Sequence, residues 1–291
     1  MQPGHALKPP TADALLLEWL LGALAPMNRT RVKQLLRSGR VFVNGTSTTR
    51  HDHQLRAGDT VFVARDAPPP PRATDPIIVY EDAALVVIDK PTGLLTVATE
   101  KEKQDTAFVR LNDYLAARAA GRAFVVHRLD RETSGLLLFA RDEETRNALQ
   151  AAWETTEKTY LTVVEGTPRV AEGRVENLLT EGTDLRVRAG TRPGPNAKRA
   201  VSTYRVLASR DSYSLVEVRI ETGRKHQIRV HMAGLGCPIA GDRMYGAKTD
   251  PARRVCLHAW RIAFDHPNTG ERLELESPFP KELARVAGDP A

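Results

Sequence analysis

The stretch from Phe124 to Arg141 admits few local structures. Its ends, Phe124 to Val126 and Leu136 to Ala140, are apolar runs of strand length and composition, and between them lies His127-Arg128-Leu129-Asp130-Arg131-Glu132-Thr133-Ser134-Gly135. A segment so densely charged cannot be buried without partners, so the pattern predicts two strands joined by an exposed turn that closes on Thr133-Ser134-Gly135. Asp130 stands between Arg128 and Arg131. Nearby cations lower a carboxylate pKa, so Asp130 is expected to stay ionised at neutral pH and to face something the arginines also attract. The competing reading is a surface ion pair of little energetic weight.

The 291 residues leave room for one large domain and a small one, each with a core. Charged residues make up 27% and apolar ones 41%, a balance that excludes a disordered chain. Lys plus Arg number 42 against 36 for Asp plus Glu; the resulting charge of +6 permits a polyanionic partner without requiring one. Cys237 and Cys256 show no paired spacing, so neither a disulfide framework nor a zinc ribbon is indicated, and a reducing cytoplasm fits. Pro3, His5, Lys8, Pro9 and Pro10 precede the first apolar run, and Glu18 interrupts Leu15 to Leu24. Neither a secretory signal nor a membrane span is expected.

Residues 11 to 26 read as an amphipathic helix capped by Thr11 or Asp13 and ended near Pro26, with Leu16, Leu20 and Leu24 or their neighbours on its core face. Asn28 or Thr30 caps a second helix running to Ser38, with Gly39 at the stop position. At roughly 100° per residue Val32, Leu35 and Leu36 share one arc, and Arg29, Lys33 and Arg37 share another. Val41-Phe42-Val43 then leads into the hairpin signal Asn44-Gly45, and a second strand, Val61 to Ala64, follows Ala57-Gly58-Asp59. Arg65 to Pro76 contains four consecutive prolines, which predicts a semi-rigid linker. Beyond it, strands are expected at Ile77 to Tyr80, Leu85 to Ile88, Lys158 to Gly166, Ala200 to Leu207 and Tyr213 to Thr222, with helices at Asn112 to Ala120 and from an Asp142 cap to about Thr155.

The run His127 to Leu138 resembles the signature of the RluA-type pseudouridine synthases, enzymes that isomerise uridine in RNA. That resemblance implies that Asp130 is the catalytic aspartate and that Arg128, with His127 beside it on the substrate side, enters the RNA helix when the target base leaves. Three further regions resemble the same family in the same order: the Lys90-Pro91-Thr92-Gly93 turn, the Lys158-Thr159-Tyr160 strand, and Thr222 to Met232 with its downstream loop Gly241 to Gly246. They imply that Tyr160 lies beside the target uracil, that Ile228 lines the pocket, and that Arg229 is the buried cation paired with Asp130. Arg224 is the second choice for that pairing, with a backbone-positioning role as its alternative, and RNA phosphate binding is the competing role for both arginines. The order of elements over residues 11 to 65 resembles an S4 domain, a small RNA-binding module, in which Arg29, Lys33 and Arg37 would contact phosphates.

The family resemblance implies an α+β fold, a large mixed, mainly antiparallel sheet with flanking helices, plus a small α/β module. The expected divisions are residues 11–65, a linker at 66–76 and a catalytic domain at 77–282. The implied activity is isomerisation of uridines in structured RNA, with large-subunit ribosomal RNA placed first and transfer RNA second, by a cytoplasmic monomer needing no cofactor or metal. A noncatalytic RNA-binding assembly factor and a nucleoside hydrolase are the competing classes.

Other motifs do not fit. His226 and His231 are five apart, facing opposite sides of a strand or diverging by roughly 140° on a helix, so they are not a usual metal-ligand pair. Gly234-x-Gly236 lacks the third glycine of a dinucleotide loop, because Ile239 occupies that position. Asp130 and Glu132 are alternate residues on a turn, which rarely converge on one bond, and Ser134 has Glu132 where a nucleophile elbow needs glycine.

Overall fold

A computed structural model describes residues 5–44, 46–65, 75–182, 184, 186–190 and 196–290. Near the N-terminus, helix α1 (Leu16–Ala23) packs with α2 (Arg29–Arg37) over two short antiparallel strands, β1 (Val41–Val43) and β2 (Val61–Val63). Leu16, Leu20, Val32, Leu36, Val41 and Val61 form a core of their own. Asn28 caps α2 as expected, its Oδ1 accepting from Arg31 N–H at 3.0 Å, and Gly39 ends the helix at φ 67°.

The first helix begins later than the cap rule predicts. Asp13 does not cap it: its Oδ1 accepts from Ala57 N–H at 3.0 Å, while Ala14–Leu15 pairs with Gln54–Leu55 as a small ladder. A tertiary partner therefore took the carboxylate that local sequence had assigned to a helix end. Asn44 sits at φ 50° at the expected hairpin turn, where Val43 pairs with Thr46; its partner Gly45 lies outside the described residues. Residues 66–74 of the expected linker also lie outside them.

The large sheet carries strands β3 (Ile77–Glu81), β4 (Leu85–Lys90), β5 (Ser134–Ala140), β6 (Glu157–Glu165), β7 (Glu172–Glu181), β8 (Val187–Gly190), β9 (Lys198–Arg210), β10 (Tyr213–Ile220), β11 (Leu257–Asp265) and β12 (Arg272–Glu276). Their spatial order is β8-β7-β9-β10-β6-β11-β5-β4-β3, with β12 beside β11 and Phe124–Val125 beside β5. Every pairing is antiparallel except β5 with β11. This is the mixed, mainly antiparallel α+β architecture expected. Among the described residues no helix is long and apolar enough to cross a membrane.

Strand β5 is buried along its whole length because both of its faces are covered. Leu137 and Phe139 meet Leu111 and Leu115 of α3 (Ala107–Ala117), while Leu136 and Leu138 pack with Leu149 of α4 (Glu143–Ala151). Each such side chain withdrawn from water contributes about 1.5–3 kcal/mol before entropy is counted. Asp142 caps α4 as expected, Oδ1 accepting from Thr145 N–H at 2.7 Å. Helix α3 starts five residues before Asn112, because Thr106 supplies the cap. Asn112 instead accepts from Ala123 N–H at 2.9 Å and ties the helix to the chain entering the Asp130 loop.

Gly135, the second residue of β5, has φ 108° and lies opposite Ala259 of β11. A Cβ there would overlap the Ala259 carbonyl group, so no side chain fits between the two parallel strands. Gly135→Ala should cost at least about 2 kcal/mol, read as a fall in the urea midpoint with m unchanged; a loss under half that value would show that the strands yield.

Candidate active site

The loop carrying Asp130 is clamped from beneath rather than exposed. Thr96 Oγ1 accepts from Leu129 N–H at 3.0 Å and donates to Leu129 O at 2.8 Å, Thr92 Oγ1 donates to Glu132 O at 2.7 Å, and Gly93 N–H donates to Arg131 O at 2.8 Å. Lys90, wholly buried, sends its ammonium to Leu94 O at 2.7 Å and Pro91 O at 3.0 Å, and reaches Arg131 O at 3.4 Å. Burial, then the charge of Arg254, pushes that ammonium down to about 7. The segment could be sunk into the fold because the Lys90, Thr92 and Thr96 side chains, with the Gly93 backbone, satisfy its polar atoms.

Asp130 lines a cleft of about 80 Å³ together with Arg128, Tyr160, His226, Ile228 and Arg229. Its electrostatics reverse the expectation drawn from neighbours in sequence. Burial raises the Asp130 pKa, and the groups that oppose the rise are His226, when protonated, and Arg229, about one hundred residues away in the chain. Arg131 has turned aside to donate from Nε to Gly93 O at 2.9 Å, and Arg128 is exposed at the mouth of the cleft.

Tyr160 comes from β6 at the point where its pairing with β11 slips by one residue, between Thr159 and Tyr160. A bulge of this kind re-aims a side chain, here into the cleft. Burial and then the Asp130 charge both push its hydroxyl pKa up, so the phenol stays protonated. Ile228 and Arg229 come from the first turn of α5 (Gln227–Gly234), which Gln227 pins to β9 by donating from Nε2 to Val201 O and Ser202 Oγ, each at 2.9 Å.

Arg229 does not form its close ion pair with Asp130. Its Nε and Nη2 donate in parallel to Asp242 at 2.7 and 2.8 Å, both side chains almost fully buried, and its Nη1 lies 3.5 Å from Glu132 Oε2 without a hydrogen bond. The guanidinium also sits 5.1 Å over the Tyr245 ring. Asp242 is thus the direct counter-charge, and Arg229 acts on Asp130 across the cleft. Arg224 lies on the exposed rim, its Nε donating to Arg199 O at 3.1 Å.

His127 does not line the cleft. Its ring stacks on Trp153 at 4.5 Å and accepts at Nε2 from Leu138 N–H at 3.0 Å, and burial with the Lys158 charge lowers its pKa to about 3. It fixes the strand behind the loop. Arg29 pairs with Glu18 at 2.9 Å on the surface of the N-terminal helices, whereas Lys33 and Arg37 make no ion pair among the described residues. His231 is held between Ser202 Oγ at 2.9 Å and Asn177 Oδ1 at 3.1 Å.

Sequence reasoning passed over His226, Asp242 and Tyr245. All three lie within the motif region or its downstream loop, yet nothing in the residue order says that Asp242 returns to Arg229. A larger cleft of about 520 Å³ is lined by Asp89, Lys90, Arg254, His258 and Glu282 and does not include Asp130. Both of its arginines are already engaged, Arg254 with Ser134 Oγ at 2.7 Å and Glu282 Oε1 at 3.2 Å and Arg110 with Asp105 at 2.6 Å. The smaller cleft gathers a carboxylate, a phenol and a guanidinium whose charge is otherwise compensated, and it is the candidate active site.

This sheet is shared with known structures of one class, the pseudouridylate synthases. Human RNA Pseudouridylate Synthase Domain Containing 4 superposes with a TM-score of 0.62 at 27% identity, over 74% of this chain and 95% of the human one. The RNA pseudouridylate synthase family profile matches residues 84–234, a span holding Asp130, Tyr160 and Arg229. An uncharacterized RNA pseudouridine synthase of Bacillus subtilis, YlyB, is 34% identical, with 89% of this chain and 88% of that protein covered. Ribosomal large subunit pseudouridine synthase D of Vibrio cholerae is 32% identical, over 89% of this chain and 86% of its own length. The chain belongs to the RNA pseudouridylate synthase family, whose enzymes are isomerases.

Proposed function

We propose that this protein isomerises specific uridines of large-subunit ribosomal RNA, with Asp130 as the essential carboxylate. The bond between ribose C1′ and N1 of uracil breaks, the base turns, and C5 joins the same carbon; the C5 proton leaves and N1 gains one, so no oxidant or cofactor is called for. A stacked uridine cannot present that bond to a side chain, so the base must leave the helix at a cost of a few kcal/mol. Arg128, exposed at the mouth, would fill the vacancy, and the Tyr160 ring would stack on the extruded base. Whether Asp130 attacks C1′, attacks C6 or stabilises a charged sugar, it must be ionised, and the Arg229 guanidinium supplies the field that favours this form at neutral pH.

The observation that carries the reading is the meeting of Asp130, Tyr160 and Arg229 in one cleft from three separate elements. The ribosomal substrate rests on the relatives named for the large ribosomal subunit. Mapping pseudouridines in cellular RNA with and without the protein should show at least one large-subunit site that vanishes in its absence. A missing site in transfer RNA alone would redirect the substrate, and release of free uracil in vitro would make the protein a hydrolase.

The N-terminal helices and hairpin, residues 11–65, are proposed to be an S4-like module that holds the RNA, joined through 66–76 to a catalytic domain at 77–282. Their independent core and the cationic face of α2 support this division. Because Arg29 is partly occupied by Glu18, Lys33 and Arg37 should carry most of the effect. Replacing all three by Ala should lower the slope of log affinity against log salt by about 2. An unchanged slope would take α2 out of the interface.

A further inference from the structure

His226 occupies an unusual backbone state, φ 54° and ψ 16°, immediately before α5. A non-glycine residue persists there only where its surroundings fix it. Gln227 behind it is pinned by four hydrogen bonds to β9 and the Thr222–Arg224 turn, and in front its Nδ1 lies 2.8 Å from the Tyr245 hydroxyl. That hydroxyl already accepts from Val187 N–H at 3.0 Å. Its own proton is therefore available for Nδ1, and the neutral imidazole carries its hydrogen on Nε2. Among the described residues no acceptor is bonded to Nε2. Burial lowers the His226 pKa against the pull of Asp130, so the ring is uncharged at neutral pH.

A fixed, uncharged N–H donor in the same cleft as the carboxylate and the phenol matches one property of the proposed substrate. Turning uracil about its N3–C6 axis, the motion that replaces N1 by C5, also exchanges the C2 and C4 carbonyl groups. A donor facing one carbonyl before rotation therefore faces the other afterwards. Cytosine would present an amino group in one of the two orientations, leaving two donors opposed. We infer that His226, with its tautomer set by Tyr245, donates to a carbonyl oxygen of the flipped base and so selects uridine over cytidine. The inference rests on the isomerase reading given above.

Thio-substitution tests it, because sulfur is a poor acceptor. The full-length protein is given an RNA fragment holding the mapped uridine, tritiated at C5, with oxygen at both carbonyls or sulfur at C2 or C4, and tritium release is followed. Wild type should release tritium from the oxygen form and lose about 10-fold or more with sulfur in at least one position. His226→Ala should lose about 10- to 100-fold on the oxygen form and show no further loss with sulfur. His226→Gln, which keeps an N–H near the Nε2 position, should recover part of the rate together with the sulfur penalty. Tyr245 is a positioning residue, and Tyr245→Phe should shrink the penalty, a change that a purely structural role would not produce. Melting curves identify any variant that has failed to fold. An equal sulfur penalty in wild type and His226→Ala overturns the inference, whereas wild type that releases no tritium from the oxygen form overturns the isomerase reading itself.

Discussion

Asp130→Asn should reduce pseudouridine formation by more than about 10³-fold, leave RNA affinity within about twofold, and raise the melting temperature at neutral pH. The first effect follows from removing the one carboxylate that lines the cleft with Tyr160 and Arg229. The gain in stability follows from the sign of its pKa shift. Burial is the largest influence on Asp130 and raises its pKa above that of the unfolded chain, so folding favours the protonated form. The stability this contributes is fully present below the unfolded pKa and is lost as pH rises through the folded value. At neutral pH, where the unfolded carboxylate is ionised, folding of the wild type therefore carries a cost that the amide does not incur. The advantage of the variant should shrink as the pH approaches the ordinary aspartate value of about 3.9. For the same reason the acid limb of the kcat/KM profile should lie above that value. Parallel melts at several pH values and a tritium-release assay check both parts. A variant that retains product formation would remove Asp130 from the chemistry, and one less stable at neutral pH would reverse the electrostatic account.

Asp242→Ala should destabilise the fold by about 3–5 kcal/mol, the largest stability loss expected of any single change at this site. The carboxylate receives both parallel donors of Arg229, and the two side chains are 4% and 1% exposed. Removing it leaves a buried guanidinium with only the distant Glu132 oxygen, 3.5 Å from Nη1. Activity should fall as well, since the freed arginine would swing toward Glu132 and no longer stand at its distance from Asp130. A double-mutant cycle separates this from simple loss of packing: Arg229→Met combined with Asp242→Leu should cost clearly less than the sum of the two single changes. Urea denaturation gives the four midpoints, and additive costs would mean that the pair does not act as a unit.

The elements of the fold were legible wherever one side of the chain faces a core. Leu136 to Ala140 reads as a buried strand, Val32, Leu35 and Leu36 as one helix face, and Asn28 and Asp142 as caps, because each pattern needs only a few residues around it. Local rules failed where a distant group competed. Asp13 went to Ala57 N–H instead of a helix end, and Asn112, expected at the start of a helix, lies inside α3 and accepts from Ala123 N–H. The polar run around Asp130 looked like an exposed turn because sequence shows its charges and hides the Thr92 and Thr96 hydroxyls that satisfy its backbone.

By itself the chain determined its class of sheet, the strands that flank Asp130, and the family motifs that single out Asp130, Tyr160 and Arg229. Short-range periodicity and turn chemistry, acting over a handful of residues, carry the flanking strands, whereas the class of sheet and the three site residues rest on the resemblance of the motifs to the family's. Only the tertiary structure decided that Asp130 is half-buried with its pKa raised, that Arg229 is bound by Asp242 thirteen residues on, that His127 turns to Trp153, and that His226 enters the cleft in a left-handed conformation. Coulomb energy and desolvation depend on distance through space, and the groups that set them for Asp130 arrive from α5, about one hundred residues further along the chain.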